Sequence, residues 1–232
     1  MMKLICFPYA GGSATVFLKM KKYLDSSIDL CPIEYPGRGF RMDEDFILDS
    51  ENFISDMKDQ MEKVLLHDEP FMVLGYSMGT LITLEIINRM KLKPRHAFLC
   101  AYEPPEYALD DLFDISKESK LNFLKHLLVT GGITQDFIND SEIQKTFFPQ
   151  IIADYWVLNS FKKQKNKAYP IIENGTVMYT QNDDPDNQIG YWKKYVKNIN
   201  FCQFIGDHFF INRDYPKICN IINQTYKKLV QQ

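Results

Sequence analysis

The sequence predicts an α/β fold: a mostly parallel central sheet flanked by helices, with a helical insertion. Three observations predict it. Short apolar runs alternate with segments of helical periodicity. One of those runs passes through Gly75-Tyr76-Ser77-Met78-Gly79 straight into an apolar helix. The stretch from about 106 to 165 carries helical patterns and no strand. Alternation of this kind is the mark of a parallel sheet whose strands are joined by crossover helices. The chain has 232 residues, which suits one such unit and is short for two. Residues 1–232 are therefore read as one domain.

The expected strands are Leu4–Phe7, Leu30–Ile33, Phe71–Leu74, Ala97–Ala101, Thr176–Tyr179 and Phe201–Phe204. Helices are expected over about 14–24, 50–66, 78–91, 187–197 and 214–229. In the second of these, Phe53, Ile54, Met57, Met61, Val64 and Leu65 recur at helical spacing and form one apolar stripe. The insertion at about 106–165 reads as two or three helices. Leu121, Phe123, Leu124, Leu127 and Leu128 form an apolar cluster there that ends at Gly131-Gly132. Its place between two strands predicts a lid over the site.

Composition narrows the function classes. The chain is 45% hydrophobic and 25% charged, enough for a single large core. The net charge of −3 and the lack of a basic stripe argue against nucleic acid. The lysines of 161–168 and 193–197 are read as solvated faces. Five well-separated cysteines, an odd number, suit buried free thiols in a reducing compartment. The N-terminus has only four apolar residues before Pro8, too few for a signal segment or a membrane span. A cytoplasmic monomer is expected. No His/Cys cluster has metal-ligand spacing, and there is no dinucleotide fingerprint or P-loop. No metal and no cofactor are expected.

The chemistry is carried by Gly75-x-Ser77-x-Gly79 between the strand Phe71–Leu74 and a helix. In that context the pattern is a nucleophile elbow, and the expected architecture becomes the α/β-hydrolase fold. The tight turn holds the Ser77 hydroxyl at the top of the sheet. The helix N-terminus beside it favours a developing oxyanion. Glycines are expected at 75 and 79 because side chains would meet the neighbouring strand and helix. A serine needs a base, and the base an orienting carboxylate, in the chain order Ser, acid, His. His208, after the last strand, is the expected base. His126 falls within the insertion, His96 opens a strand, and His67 lies in a surface loop. The acid follows the penultimate strand, where Asp183 and Asp184 compete. Asp184, just before Pro185, is the expected acid, with Asp183 as the alternative and the other aspartate capping the loop. Asp207 adjoins His208 too closely in sequence to align with it. The backbone amides of Met78 and Ala10 are the expected oxyanion donors, Ala10 lying in a loop whose glycines allow inward-facing N–H groups.

Several pieces resemble one family as a set. They are Phe7-Pro-Tyr-Ala-Gly-Gly12, Tyr35-Pro-Gly-Arg-Gly39, Gly75-Tyr-Ser-Met-Gly79, Gly131-Gly-Ile133, Asp183-Asp-Pro185 with Trp192, and Gly206-Asp-His-Phe-Phe210. In this order, and across nearly the whole chain, they resemble the type II (external) thioesterases of nonribosomal peptide and polyketide synthesis. The resemblance implies hydrolysis of acyl thioesters on the phosphopantetheine arm of acyl or peptidyl carrier proteins, to clear wrong or stalled groups. It puts the nucleophile on Ser77, the acid on Asp184, the base on His208, the oxyanion amides on Met78 and Ala10, and the lid on about 106–165. Three positions depart from the family pattern. Tyr76 replaces the usual His, Gln181 replaces a Gly three residues before the acid, and Tyr102-Glu-Pro-Pro105 is bulkier than usual and narrows the pocket. The rival readings are a general carboxylesterase or lipase with the same residues, and an idle hydrolase fold that binds carrier proteins.

Overall fold

Alternate residues of the inner strands are apolar on both faces, so these strands must be covered on both sides. The computed structural model, which describes residues 1–65, 69–109, 112–162 and 167–231, bears this out. Among the described residues, six strands form one sheet: β1 Met2–Phe7, β2 Ile28–Pro32, β3 Phe71–Tyr76, β4 His96–Cys100, β5 Ile172–Tyr179 and β6 Val196–Gln203. Their order is β2-β1-β3-β4-β5-β6, and every neighbouring pair is parallel. Leu4 and Cys6 point into one core and Ile5 and Phe7 into the other, as the two-residue repeat of a strand requires.

The helices divide between those two faces. α1 (Ser50–Val64), capped by the Asp49 carboxylate, and α2 (Met78–Met90) pack with Ile5, Val73 and Leu99. α7 (Tyr215–Val230) lays Ile218, Cys219 and Ile222 against Leu4, Met72 and Phe98. Phe17 and Met20 join that second core from a 3₁₀ segment, Ala14–Lys22, at the expected position of the first helix.

Among the described residues, four helices follow β4 before the next strand: α3 (Pro105–Ala108), α4 (Lys120–Val129), α5 (Gln135–Asn139) and α6 (Ser141–Phe161). The last three build a small core of their own, with Phe123, Leu127, Phe137, Phe148 and Ile151. Leu121, expected in that cluster, is exposed. Gly131 takes φ 78° after α4, and the Gly132 amide bonds back to the Leu127 carbonyl, so the glycine pair does end the helix. The C-terminal half of α6 leaves this small core and roots in the main one through Val157, Leu158 and Phe161.

The segment expected as a helix over 187–197 is different. A short 3₁₀ turn, Ile189–Lys194, buries Trp192, and the chain then enters β6 at Val196, which pairs with Ile172. β6 is an edge strand with exposed Lys197 and Asn198, so only its apolar end stood out in the sequence. Among the described residues, no helix is long and apolar enough to cross a membrane. His67 lies outside the described residues.

His96 opens β4 inside the core, its Nε2 2.8 Å from Thr176 Oγ1 and its ring against Phe98. Burial lowers its pKa from the ordinary 6.5 to about 4. The unfolded chain therefore takes up this proton first as the pH falls. The stability that a neutral His96 confers is complete above about pH 6.5 and drains away toward pH 4, with a loss on the order of 3 kcal/mol. Denaturant midpoints followed from pH 7.5 to 4 should fall steeply for the wild-type chain and less steeply for His96→Gln. Equal slopes would contradict this account.

Candidate active site

β3 delivers the chain into α2 through a turn with no spare room. Ser77 sits at φ 53°, ψ −119°, a conformation that non-glycine residues rarely adopt. A Cβ on Gly75 would lie 2.4 Å from the Gly79 carbonyl oxygen, and one on Gly79 would lie 2.0 Å from the Phe7 oxygen. Both contacts are with backbone, so neither can relax cheaply. The same closeness brings the start of α2 against the Phe7–Pro8 segment, which puts Met78 near the loop that carries Ala10.

His208 follows β6, where the sequence placed it. Its Nε2 stands 2.9 Å from Ser77 Oγ, and its Nδ1 stands 2.5 Å from a carboxylate oxygen. That oxygen belongs to Asp183, and the expectation of Asp184 is corrected here. In the 3₁₀ turn Gln181–Asp183, the Oδ2 of Asp183 accepts bonds from the Thr180 amide and hydroxyl, each 2.8 Å long. This capping box leaves Oδ1 free to face His208. Asp184 precedes Pro185, which disfavours the helical region for it; it takes φ −143°, ψ 54°. Its carboxylate instead accepts from the Ile189 amide at 2.9 Å and closes the next loop. Both aspartates are buried. Asp207 stays local, accepting from the Phe209 amide.

Tyr76 has a role that sequence reasoning missed. Its hydroxyl donates to the His208 carbonyl at 2.6 Å and accepts from the Ile211 amide at 3.2 Å. The phenol is wholly buried, and burial pushes its pKa well up, so it remains a neutral donor. Tyr76, where the resemblance leads one to expect a histidine, thus ties down the loop that carries His208.

Ser77 opens onto a cavity of about 670 Å³. Ala10, Met78 and His208 border it at the sheet end, and Leu127, Ile151 and Tyr155 of the insertion border it opposite. Met78 is the first residue of α2, so its amide has no partner within the helix. Tyr102 and Glu103 line the same cavity, and the Tyr102 carbonyl accepts from the indole of Trp192. His126 reaches the cavity wall but not the serine. It stacks on Phe113, with Nε2 3.3 Å from the Tyr155 hydroxyl, and burial lowers its pKa. Among the described residues, no group of three His, Cys, Asp or Glu side chains could hold a metal ion.

A family model described as the thioesterase domain matches residues 2–226. The gramicidin S biosynthesis protein GrsT of Aneurinibacillus migulanus is 26% identical over 224 residues, which span 90% of this chain and 83% of that protein. Among solved structures, ClbQ from the colibactin NRPS/PKS pathway superposes with a TM-score of 0.86 at 23% identity, over 98% of both chains. YbtT, a type II thioesterase from the yersiniabactin NRPS/PKS pathway, gives 0.81 at 18% identity, over 98% of this chain and 94% of that one. At such identities the structural likeness shows the α/β-hydrolase fold alone. The family rests on the model that spans nearly all of the sequence, and by that match the chain belongs to the thioesterase family as a thioester hydrolase of the serine class.

Proposed function

We propose that this chain is a type II thioesterase that removes acyl groups from the phosphopantetheine arm of carrier proteins in nonribosomal peptide or polyketide synthesis. The observation that carries the reading is the line Ser77 Oγ, His208, Asp183, with spacings of 2.9 and 2.5 Å, opening on an apolar-walled cavity. GrsT is named for gramicidin S biosynthesis, and ClbQ and YbtT for NRPS/PKS pathways, which supports the choice of pathway class. The five cysteines are all free thiols, which suits a reducing, cytoplasmic setting.

His208 Nε2 takes the Ser77 proton as Oγ attacks the thioester carbonyl. Asp183 holds the proton on Nδ1, fixes the tautomer and stabilises the imidazolium. The amides of Met78 and Ala10 receive the oxyanion. The pantetheine sulfur leaves as the carbonyl reforms, taking the proton from His208. Water activated by His208 then releases the acid and restores Ser77. Thiolate is a good leaving group, so the general-acid step counts for less than it does in amide hydrolysis.

Ser77→Ala should fold normally and lose turnover of acyl-loaded carrier protein. Retained activity in that variant would defeat the reading. Across carrier-bound acyl groups, acyl-CoA and a p-nitrophenyl ester, carrier-bound groups should turn over fastest; a faster plain ester would favour a general esterase.

The two aspartates separate cleanly. In Asp183→Asn the single amide oxygen is drawn to the Thr180 donors, so the NH₂ group faces His208 and selects the wrong tautomer. The expected fall in kcat is roughly 10⁴-fold. Asp184→Asn can still accept from Ile189 and should keep kcat within about threefold. Steady-state kinetics of the two variants decides between them, and the reverse order would restore Asp184 as the acid.

A further inference from the structure

The motif Tyr35-Pro-Gly-Arg38-Gly39 takes no part in the steps above, yet it is built into the loop that carries Ala10. Arg38 and Asp154 of α6 form a bidentate pair, with Nη1 and Nη2 2.6 and 2.7 Å from the two carboxylate oxygens, both side chains almost wholly buried. The Asp154 oxygen that meets Nη1 also accepts from the Gly11 amide at 2.7 Å. One turn earlier on α6, the Gln150 amide donates to the Gly11 carbonyl at 2.8 Å. Gly11 is at φ 77°, and a Cβ there would lie 2.6 Å from Ile151 Cγ1, so α6 presses directly on its backbone. Arg38 also donates to the Gly12 carbonyl, and the Tyr35 hydroxyl to the Pro8 carbonyl. The Gly12 amide closes on the Tyr9 carbonyl. The polar groups on either side of Ala10 are thus tied, and none of these bonds uses the Ala10 amide.

We infer that Gln150 and Asp154 are positioning residues: they clamp Gly11 from the insertion so that the Ala10 amide is held at the oxyanion, with Arg38 as the buried counter-ion that fixes Asp154. The inference rests on the proposed serine mechanism. It gives the helical insertion a part in activating the carbonyl, beyond covering the acyl group. An amide aimed at a developing charge is useful only within a narrow range of positions, and a displacement near 1 Å costs on the order of 10²-fold in rate.

The test uses the full chain and its acyl-loaded carrier protein. Gln150→Ala should lower kcat roughly 10- to 100-fold with KM within about twofold. It should weaken binding of an acyl trifluoromethyl ketone, whose adduct carries an oxyanion, by the same factor. Its melting temperature should hardly move. Asp154→Asn, which keeps an acceptor for Gly11 but leaves Arg38 without its charge partner, should show the same split of kcat from KM in the folded fraction. A Gln150→Ala enzyme with unchanged kcat and unchanged ketone affinity would overturn the inference, as would a loss confined to KM. Labelling of wild-type Ser77 by a fluorophosphonate keeps the two failures apart. With Ser77 labelled, a null result at Gln150 sinks only the clamp; with Ser77 unlabelled, the serine mechanism itself fails.

Discussion

Ser77 is held in a positive-φ backbone conformation that costs about 1–3 kcal/mol, and the end of the molecule that carries the cavity is arranged around keeping it there. The Ser77 amide bonds to the Cys100 carbonyl, and the Ser77 carbonyl accepts from the Thr80 amide. The Thr80 hydroxyl, fully buried, lies within hydrogen-bond distance of the Gly75 and Cys100 carbonyls. Two strands and the first turn of α2 therefore converge on one residue. Relaxing Ser77 would strand several buried polar groups at once, each at about 1–3 kcal/mol, and together they outweigh the strain. The turn persists because the parallel sheet beneath it is buried on both faces and cannot shift register without moving two cores.

The charged partners are managed by the same rule, that a buried charge must have its donors in place. Asp183 meets three donors or ring atoms through two oxygens: Thr180 twice and His208 once. That makes its carboxylate both a structural cap and the partner of the imidazole, so its geometry is set before any substrate arrives. Asp154 is treated alike, with Gly11 on one oxygen and Arg38 across both. Burial alone would depress the guanidinium pKa of Arg38, but Asp154 outweighs it and holds that pKa above its ordinary value. Both carboxylates are buried where they are satisfied, and both stand one short link from the reacting end of the cavity.

Much of this was legible in the sequence. Strand runs such as Phe71–Leu74 are apolar on both faces and bounded by glycine or polar residues, so six strands and their parallel arrangement could be read. The elbow was legible because its two glycines have a steric cause, and His208 because it follows the last strand. The choice between Asp183 and Asp184 was not. It turns on which side chain the Thr180 cap captures and on the restriction Pro185 places on its neighbour, and a local sequence pattern ranks these effects poorly. The helix expected at 187–197 failed because burial of Trp192 and pairing of Val196 override local periodicity. Asp154 and Gln150 left no trace at all, since each looks like an ordinary polar residue on a helix until Gly11, more than a hundred positions away, is brought beside it.

The placement of these residues on α6 links two properties that could otherwise vary separately. Ile151, Tyr155 and Leu158 line the cavity at spacings of four and three residues, a single stripe along the helix. Gln150 and Asp154 form the adjoining stripe, about 100° around the axis, and grip the Ala10–Gly12 loop. The C-terminal half of the same helix is fixed in the main core by Val157 and Phe161, while its N-terminal half packs in the insertion's own core. A rotation or shift of α6 that reshaped the cavity wall would therefore carry the Gly11 contacts with it. In this architecture the shape of the cavity wall and the placement of the loop beside the serine are two readings of one helix position.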